Sequence, residues 1–137
     1  MGTPVRISTE LIARVVAEER RSPIREVCGL LLGTADEVVA IEPCPNVASD
    51  PARRFEIDPA RLLAAYRRAR AGAPGVIGHY HSHPTGVARP SACDAADAAA
   101  DGALWLIVAA GHVTAWRAVV AGPVEGRFAP ITLRTVG

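Results

Sequence analysis

Apolar and polar positions along the chain alternate in two rhythms, one of strands and one of helices. Val5 to Ile7 reads as a short strand. Ser8 or Thr9 then caps a helix running to about Arg21, with Leu11, Ile12, Val15 and Val16 on one face. Ser22-Pro23 breaks it. Val27 to Leu32 is a continuous apolar run ended by Gly33, the pattern of a buried strand, and a Gly33–Asp36 turn leads to a strand over Glu37 to Ile41. Pro43 to Pro51 reads as a loop and Arg53 to Ile57 as a strand.

Asp58-Pro59 starts a second helix, by cap and first-turn proline, that ends near Gly72. Its apolar side is Leu62, Leu63 and Tyr66, and Arg61, Arg67, Arg68 and Arg70 lie mostly opposite as a solvated face. Val76 to His81 is the next strand, Thr85 to Pro90 a loop, and Ser91 to about Asp101 a third, short helix. Leu104 to Ala110, Val113 to Val120 and Arg127 to Val136 close the chain as strands. Adjacent strands mixed with helical crossovers predict an α/β (α+β) domain spanning 1–137, a mixed sheet flanked by helices.

Composition narrows the class. Half of the 137 residues are hydrophobic, which supports one packed core and argues against disorder. A net charge of +1 gives no electrostatic footprint for nucleic acid. The basic residues are all arginine, so the chain has no lysine amine to accept a modification. Cys28, Cys44 and Cys93 are odd in number without CxxC spacing, which predicts a reducing compartment and small buried hydrophobes. Met1 to Ser8 lacks the pattern of a secretory signal, Arg6 stands where a myristoylation motif after Gly2 needs Ser or Thr, and no apolar run reaches spanning length. The expectation is a soluble cytoplasmic protein that binds no membrane; a homodimer stays open.

The candidate chemistry lies in His81-Ser82-His83-Pro84 and Ser91-Ala92-Cys93-Asp94. Two imidazoles and a carboxylate are donors that zinc accepts, and three of them leave one tetrahedral position for an acidified water. On a strand, residues two apart share a side, so His81 and His83 can face one ion if the strand continues through His83. His79 would point the same way and reads as a supporting or packing histidine. Ser91 and Asp94 share a helix face, in a spacing that also matches a capping box. Glu26, just before the buried strand, is a candidate base for the water, although periodicity alone makes it an ordinary exposed acid.

Together these residues resemble a known family. Glu26 ahead of Cys28-Gly29-Leu30-Leu31-Leu32-Gly33, then His81-Ser82-His83-Pro84, six residues, Ser91, two residues and Asp94, matches the glutamate and HxHPx6SxxD pattern of the JAB1/MPN/Mov34 (JAMM) metalloproteases. The likeness takes in Asn46 and the stretch Phe55-Glu56-Ile57-Asp58-Pro59, seen in bacterial members. The resemblance implies zinc on His81, His83 and Asp94, Glu26 as general acid/base, and Ser91 as a hydrogen-bond partner of the water or oxyanion. It implies hydrolysis of a peptide or isopeptide bond after the C-terminal glycine of a ubiquitin-like protein. An extended tail is expected along a sheet edge near the catalytic strand.

Leu104 follows Asp94 too closely for the long insertion of linkage-selecting deubiquitinases, so the resemblance is to compact bacterial members, some acting on ubiquitin-like sulfur carriers. Two readings stand beside this one: a metal-free scaffold of the same fold working by protein–protein contact, and a short-peptide or cell-wall peptidase. A zinc deaminase is disfavoured, because neither H-x-E at His81 nor a later CxxC occurs.

Overall fold

The computed structural model describes residues 3–137; Met1 and Gly2, on which the readings of a leader and of lipidation partly turn, lie outside the described residues. The chain runs through β1 (Val5–Ser8), α1 (Thr9–Arg20), β2 (Cys28–Thr34), β3 (Glu37–Cys44), α2 (Pro59–Arg70), β4 (Gly75–Ser82), α3 (Ala92–Asp97), β5 (Leu104–Ala109), β6 (His112–Gly122), β7 (Gly126–Ile131) and β8 (Leu133–Val136). The strands form a single mixed sheet in the order β7-β6-β5-β4-β2-β3-β1-β8. β4 runs parallel to β5 and antiparallel to β2, at the middle of the sheet. Gly78 permits that parallel pairing, because a β-carbon there would collide with the Leu104 backbone.

The closing segment expected as one strand, Arg127 to Val136, divides at Thr132. Its first part pairs with β6 and its second with β1, at opposite ends of the strand order. The sheet therefore curls until one extended segment serves both edges, and the Val5 N–H closes the corner on the Thr132 carbonyl at 3.0 Å.

Each face of the sheet carries a core. Leu11 and Val15 of α1 pack on Ile7, Tyr80, Leu104, Leu106 and Val108. The Ser8 side chain caps this helix by accepting the Leu11 N–H, as its position predicts. The other face gathers Trp105, Ala118, Val124 and Phe128, with Phe55 and Ala95 against them. α2 opens on Asp58 as cap with Pro59 in its first turn, but only Ala65 is fully buried; Leu63 and Tyr66 on the side expected to be apolar are about half exposed. Arg68, expected on a solvated face, pairs with Glu42.

Two further expectations are corrected. Arg53 to Ile57 is not a strand; only Ile57 bridges, to Asn46, and side-chain hydrogen bonds replace the ladder there. The third helix stops at Asp97 rather than near Asp101, and Ala98 is already extended. Ala98–Ala100 has helix propensity but little side-chain area to bury, so packing does not extend the turn. Among the described residues no helix is long and apolar enough to cross a membrane.

Candidate metal centre

Strand alternation separates the β4 side chains. Tyr80 enters the core under α1, whereas His79 and His81 project to the opposite face, among Phe55 and Trp105. The strand assignment ends at Ser82, yet His83 keeps its register by donating its N–H to the Val108 carbonyl at 3.0 Å. Pro84 then opens a tight turn in which the Gly86 N–H returns to the His83 carbonyl, and Gly86 takes the left-handed backbone conformation (φ +86°). The turn brings the Val87 carbonyl to His83 Nδ1 at 2.8 Å. A carbonyl only accepts, so Nδ1 carries the proton and Nε2 presents a lone pair to the site.

α3 supplies the third donor. The Ser91 Oγ accepts the Asp94 N–H, and the Ser91 N–H donates to Asp94 Oδ2, each at 3.0 Å. The capping box and the ligand are thus one structure: the cap aims the carboxylate at the histidines. His83 Nε2 lies 3.0 Å from Asp94 Oδ2, His81 Nε2 lies 3.2 Å from Asp94 Oδ1, and the two Nε2 atoms are 3.0 Å apart. Tetrahedral zinc with arms of about 2.0–2.1 Å has edges of about 3.3 Å, so the spacing between the two imidazole nitrogens, and from each of them to an Asp94 oxygen, is close to the edge the ion needs. The donor types fit as well: two imidazole nitrogens and an anionic oxygen, all from buried residues.

Electrostatics separates the two buried acids. Burial alone would raise the Asp94 carboxyl, but the His81 and His83 imidazoles against its oxygens and the hydrogen bond from the Ser91 amide outweigh it and hold the group far below the usual carboxylate range. Burial also pulls both imidazoles down. Asp94 reverses this at His83, which is raised, but not at the fully buried His81, which is lowered. His79 packs at 4.3 Å from Trp105 and 4.9 Å from Phe55 (ring centroids), outside the donor group. Burial pushes it down to about 3, so it sits there as a neutral ring.

Glu26 is buried rather than exposed, at 5% relative exposure, and Oε1 makes no hydrogen bond. Burial pushes its carboxyl up to about 8, against the pull of His83 and with Asp94 and Asp50 adding to the rise. Glu26, His83 and Ser91 line one cleft of about 240 Å³, with Cys93 on the same wall. The three cysteines are free thiols, but only Cys28 is buried as expected of all three.

The sheet edge expected near the catalytic strand is absent. β4 is paired on both sides through Ser82, to β5 in the ladder and to the Val27 carbonyl just before β2.

Three residues to which the spacing assigned no role also shape the site. The Ser82 Oγ accepts the Val27 N–H at 2.8 Å, tying the segment after Glu26 to the ligand strand. The Phe55 ring stacks on His81 at 4.2 Å and 18°. The Asn46 side chain spans the Glu26 carbonyl and the loop carrying Phe55. Asn46 was legible only as a polar loop residue and as part of the stretch shared with bacterial family members, neither of which gives it a role, and Ser82 was hidden as the spacer between two histidines.

Over 87 residues the chain is 37% identical to a desampylase of Haloferax volcanii, covering 62% of this chain and 63% of that protein. Over 92 residues it is 34% identical to a probable TtuB-protein conjugate cleaving protease of Thermus thermophilus, covering 64% and 62%. The chain therefore spans just under two thirds of the length of these relatives. The solution structure of protein DSY2949 from Desulfitobacterium hafniense superposes with a TM-score of 0.79 at 23% identity, covering 96% of this chain and 92% of that one, which shows the shared fold. Residues 8–120 match the family model of prokaryotic homologs of the JAB domain, and this chain belongs to that family.

Proposed function

We propose that this chain is a zinc-dependent metallopeptidase or isopeptidase that hydrolyses the peptide or isopeptide bond after the C-terminal Gly-Gly of a ubiquitin-like protein, including a sulfur carrier. The observation that carries the reading is the cleft that joins the two acids' surroundings: three converged donors, of which His83 lines the cleft, and in the same cleft the buried Glu26 carboxyl with Oε1 unbonded among the described residues.

His81, His83 and Asp94 would hold the zinc, which when bound polarises the scissile carbonyl and acidifies the attacking water. Glu26, ionised, takes a proton from that water. Protonated, it returns the proton to the departing amine. A carboxyl poised near neutral pH can do both. The Ser91 Oγ already accepts the Asp94 N–H, which leaves its O–H to donate to the developing oxyanion. Phe55 and Trp105 keep His81 dry and fixed in orientation.

A Gly-Gly tail suits a cleft of this size because it brings backbone without side chains. With β4 paired on both sides, that tail would cross the strand ends between the loop after His83 and the loop carrying Phe55. The two relatives, a desampylase and a probable conjugate-cleaving protease, support a conjugate of a small ubiquitin-like protein as substrate.

The test is mass spectrometry of candidate ubiquitin-like proteins from the same genome, each carrying residues after Gly-Gly. Wild type should release the extension from at least one, chelator should stop it, and Glu26→Ala should slow it by about 10²–10⁴-fold. Release undiminished by chelation or by Glu26→Ala overturns the reading.

A further inference from the structure

Glu26 is not held where a strand residue would be. Its backbone N–H donates to the Pro51 carbonyl at 2.7 Å, and its carbonyl accepts from Asn46 Nδ2 at 2.9 Å. Both main-chain groups are thus satisfied by the loop between β3 and α2 and neither by the sheet. Among the described residues Oε1, at the far end of the side chain, adds no anchor. Where the carboxyl sits therefore depends on where that loop holds the backbone.

Asn46 is the fastening of that loop. Nδ2 also donates to the Arg54 carbonyl at 2.9 Å, and Oδ1 accepts the N–H groups of Ala48 at 3.0 Å and Glu56 at 3.1 Å. A primary amide has two N–H donors and an oxygen with two lone pairs, and all four are used. The orientation is unambiguous, because a flipped amide would face two carbonyls with its oxygen and two N–H groups with its nitrogen. Two of these bonds flank Phe55, the ring stacked on His81. One side chain thus joins the backbone of Glu26 to the aromatic surface against the ligand histidine.

We propose that Asn46 is a positioning residue for the hydrolysis, setting the distance between the Glu26 carboxyl and the metal-ligand wall. The assignment rests on the function proposed above. It predicts that the loop fails first at its donor side. Asn46→Asp keeps the shape and the two accepting contacts but turns an oxygen on the carbonyls of Glu26 and Arg54.

The experiment compares wild type, Asn46→Asp and Asn46→Ser, each with Glu26 intact and as Glu26→Ala, on a substrate that wild type cleaves. With Glu26 intact, Asn46→Asp should lower kcat about 100-fold, the scale of an ångström misplacement, with KM unchanged and one zinc still bound. Asn46→Ser retains one donor and one acceptor and should fall between. In the Glu26→Ala background neither substitution should lower the residual rate further, because the group they position is gone. A purely structural role would reduce the rate equally in both backgrounds.

A second readout needs neither metal nor turnover. Hydrogen exchange on the metal-free chain should speed up in Asn46→Ser at Glu26, Ala48 and Glu56 while β4 and β5 stay protected. Normal kcat in Asn46→Asp, equal losses with and without Glu26, faster exchange across the whole sheet, or failure of both variants to fold would each overturn the assignment. Inactivity of wild type, by contrast, overturns the function reading, and the exchange pattern still decides whether Asn46 fastens Glu26.

Discussion

The two walls of the cleft each bury a carboxylate, and they treat it in opposite ways. Asp94 is 4% exposed and Glu26 5%, so desolvation is similar for both. On the α3 wall the Asp94 oxygens meet two imidazoles and a backbone N–H. On the loop wall Glu26 Oε1 meets nothing. Partners hold the first group ionised; with none at Oε1 among the described residues, burial lifts the second to about 8. Burial alone therefore does not assign a role; the number of donors aimed at the oxygens does. The saturated acid suits a permanent ligand and the unsaturated one suits a proton carrier.

Exchanging the fates of the two acids should break this division most sharply. Asp94→Ala should lose zinc and all activity above background, read by metal analysis of the purified protein. Glu26→Gln should lower kcat by about 10²–10⁴-fold, the range of a general acid/base, while one zinc stays bound. Loss of zinc in that variant would place Glu26 on the ligand wall instead. Ser91→Ala removes both a cap and the proposed oxyanion donor. A fall in kcat of about 10²-fold is expected from the second, with about 1 kcal/mol of stability lost with the cap, separable by kinetics and urea unfolding.

The last effect is read in the stability of the metal-free chain rather than in a rate. Glu26 moves from an ordinary value of 4.5 to about 8 on folding, so between those values the folded chain holds a proton that the unfolded chain has released. Stability then falls as pH rises through that window and levels off above it, by a few kcal/mol at about 1.4 kcal/mol per pKa unit. Urea unfolding of metal-free wild type and Glu26→Gln should converge at the acid end of the window and diverge toward the alkaline end, with the glutamine variant the more stable. Parallel curves would mean that Glu26 is not desolvated.

The two walls were also unequally legible in the sequence. His81, His83, Ser91 and Asp94 lie within fourteen residues and are set by a strand end, a proline turn and a helix cap, all of which leave local patterns. The position of Glu26 depends on partners far along the chain: Pro51, Asn46 and, through Val27, Ser82. Periodicity alone made it an ordinary surface acid. The same non-local bonding explains why Arg53 to Ile57, which reads as a strand, is not one. Its residues suit one, but Asn46 takes up the Glu56 N–H and the Arg54 carbonyl that a ladder would use. The mixed sheet and its flanking helices followed from the alternation of runs. That the last segment serves both edges did not, because sheet curl is set by pairing between the ends of the chain.

On the function proposed above, one divalent ion on His81, His83 and Asp94 and one proton carrier at Glu26 make a single hydrolytic site. Its most direct test is a zinc titration of chelator-stripped protein, following cleavage of a Gly-Gly-extended carrier. Activity should be absent at the start, rise linearly and stop at one equivalent. Cleavage before any zinc is added, or a rise that continues past one equivalent, would contradict the account.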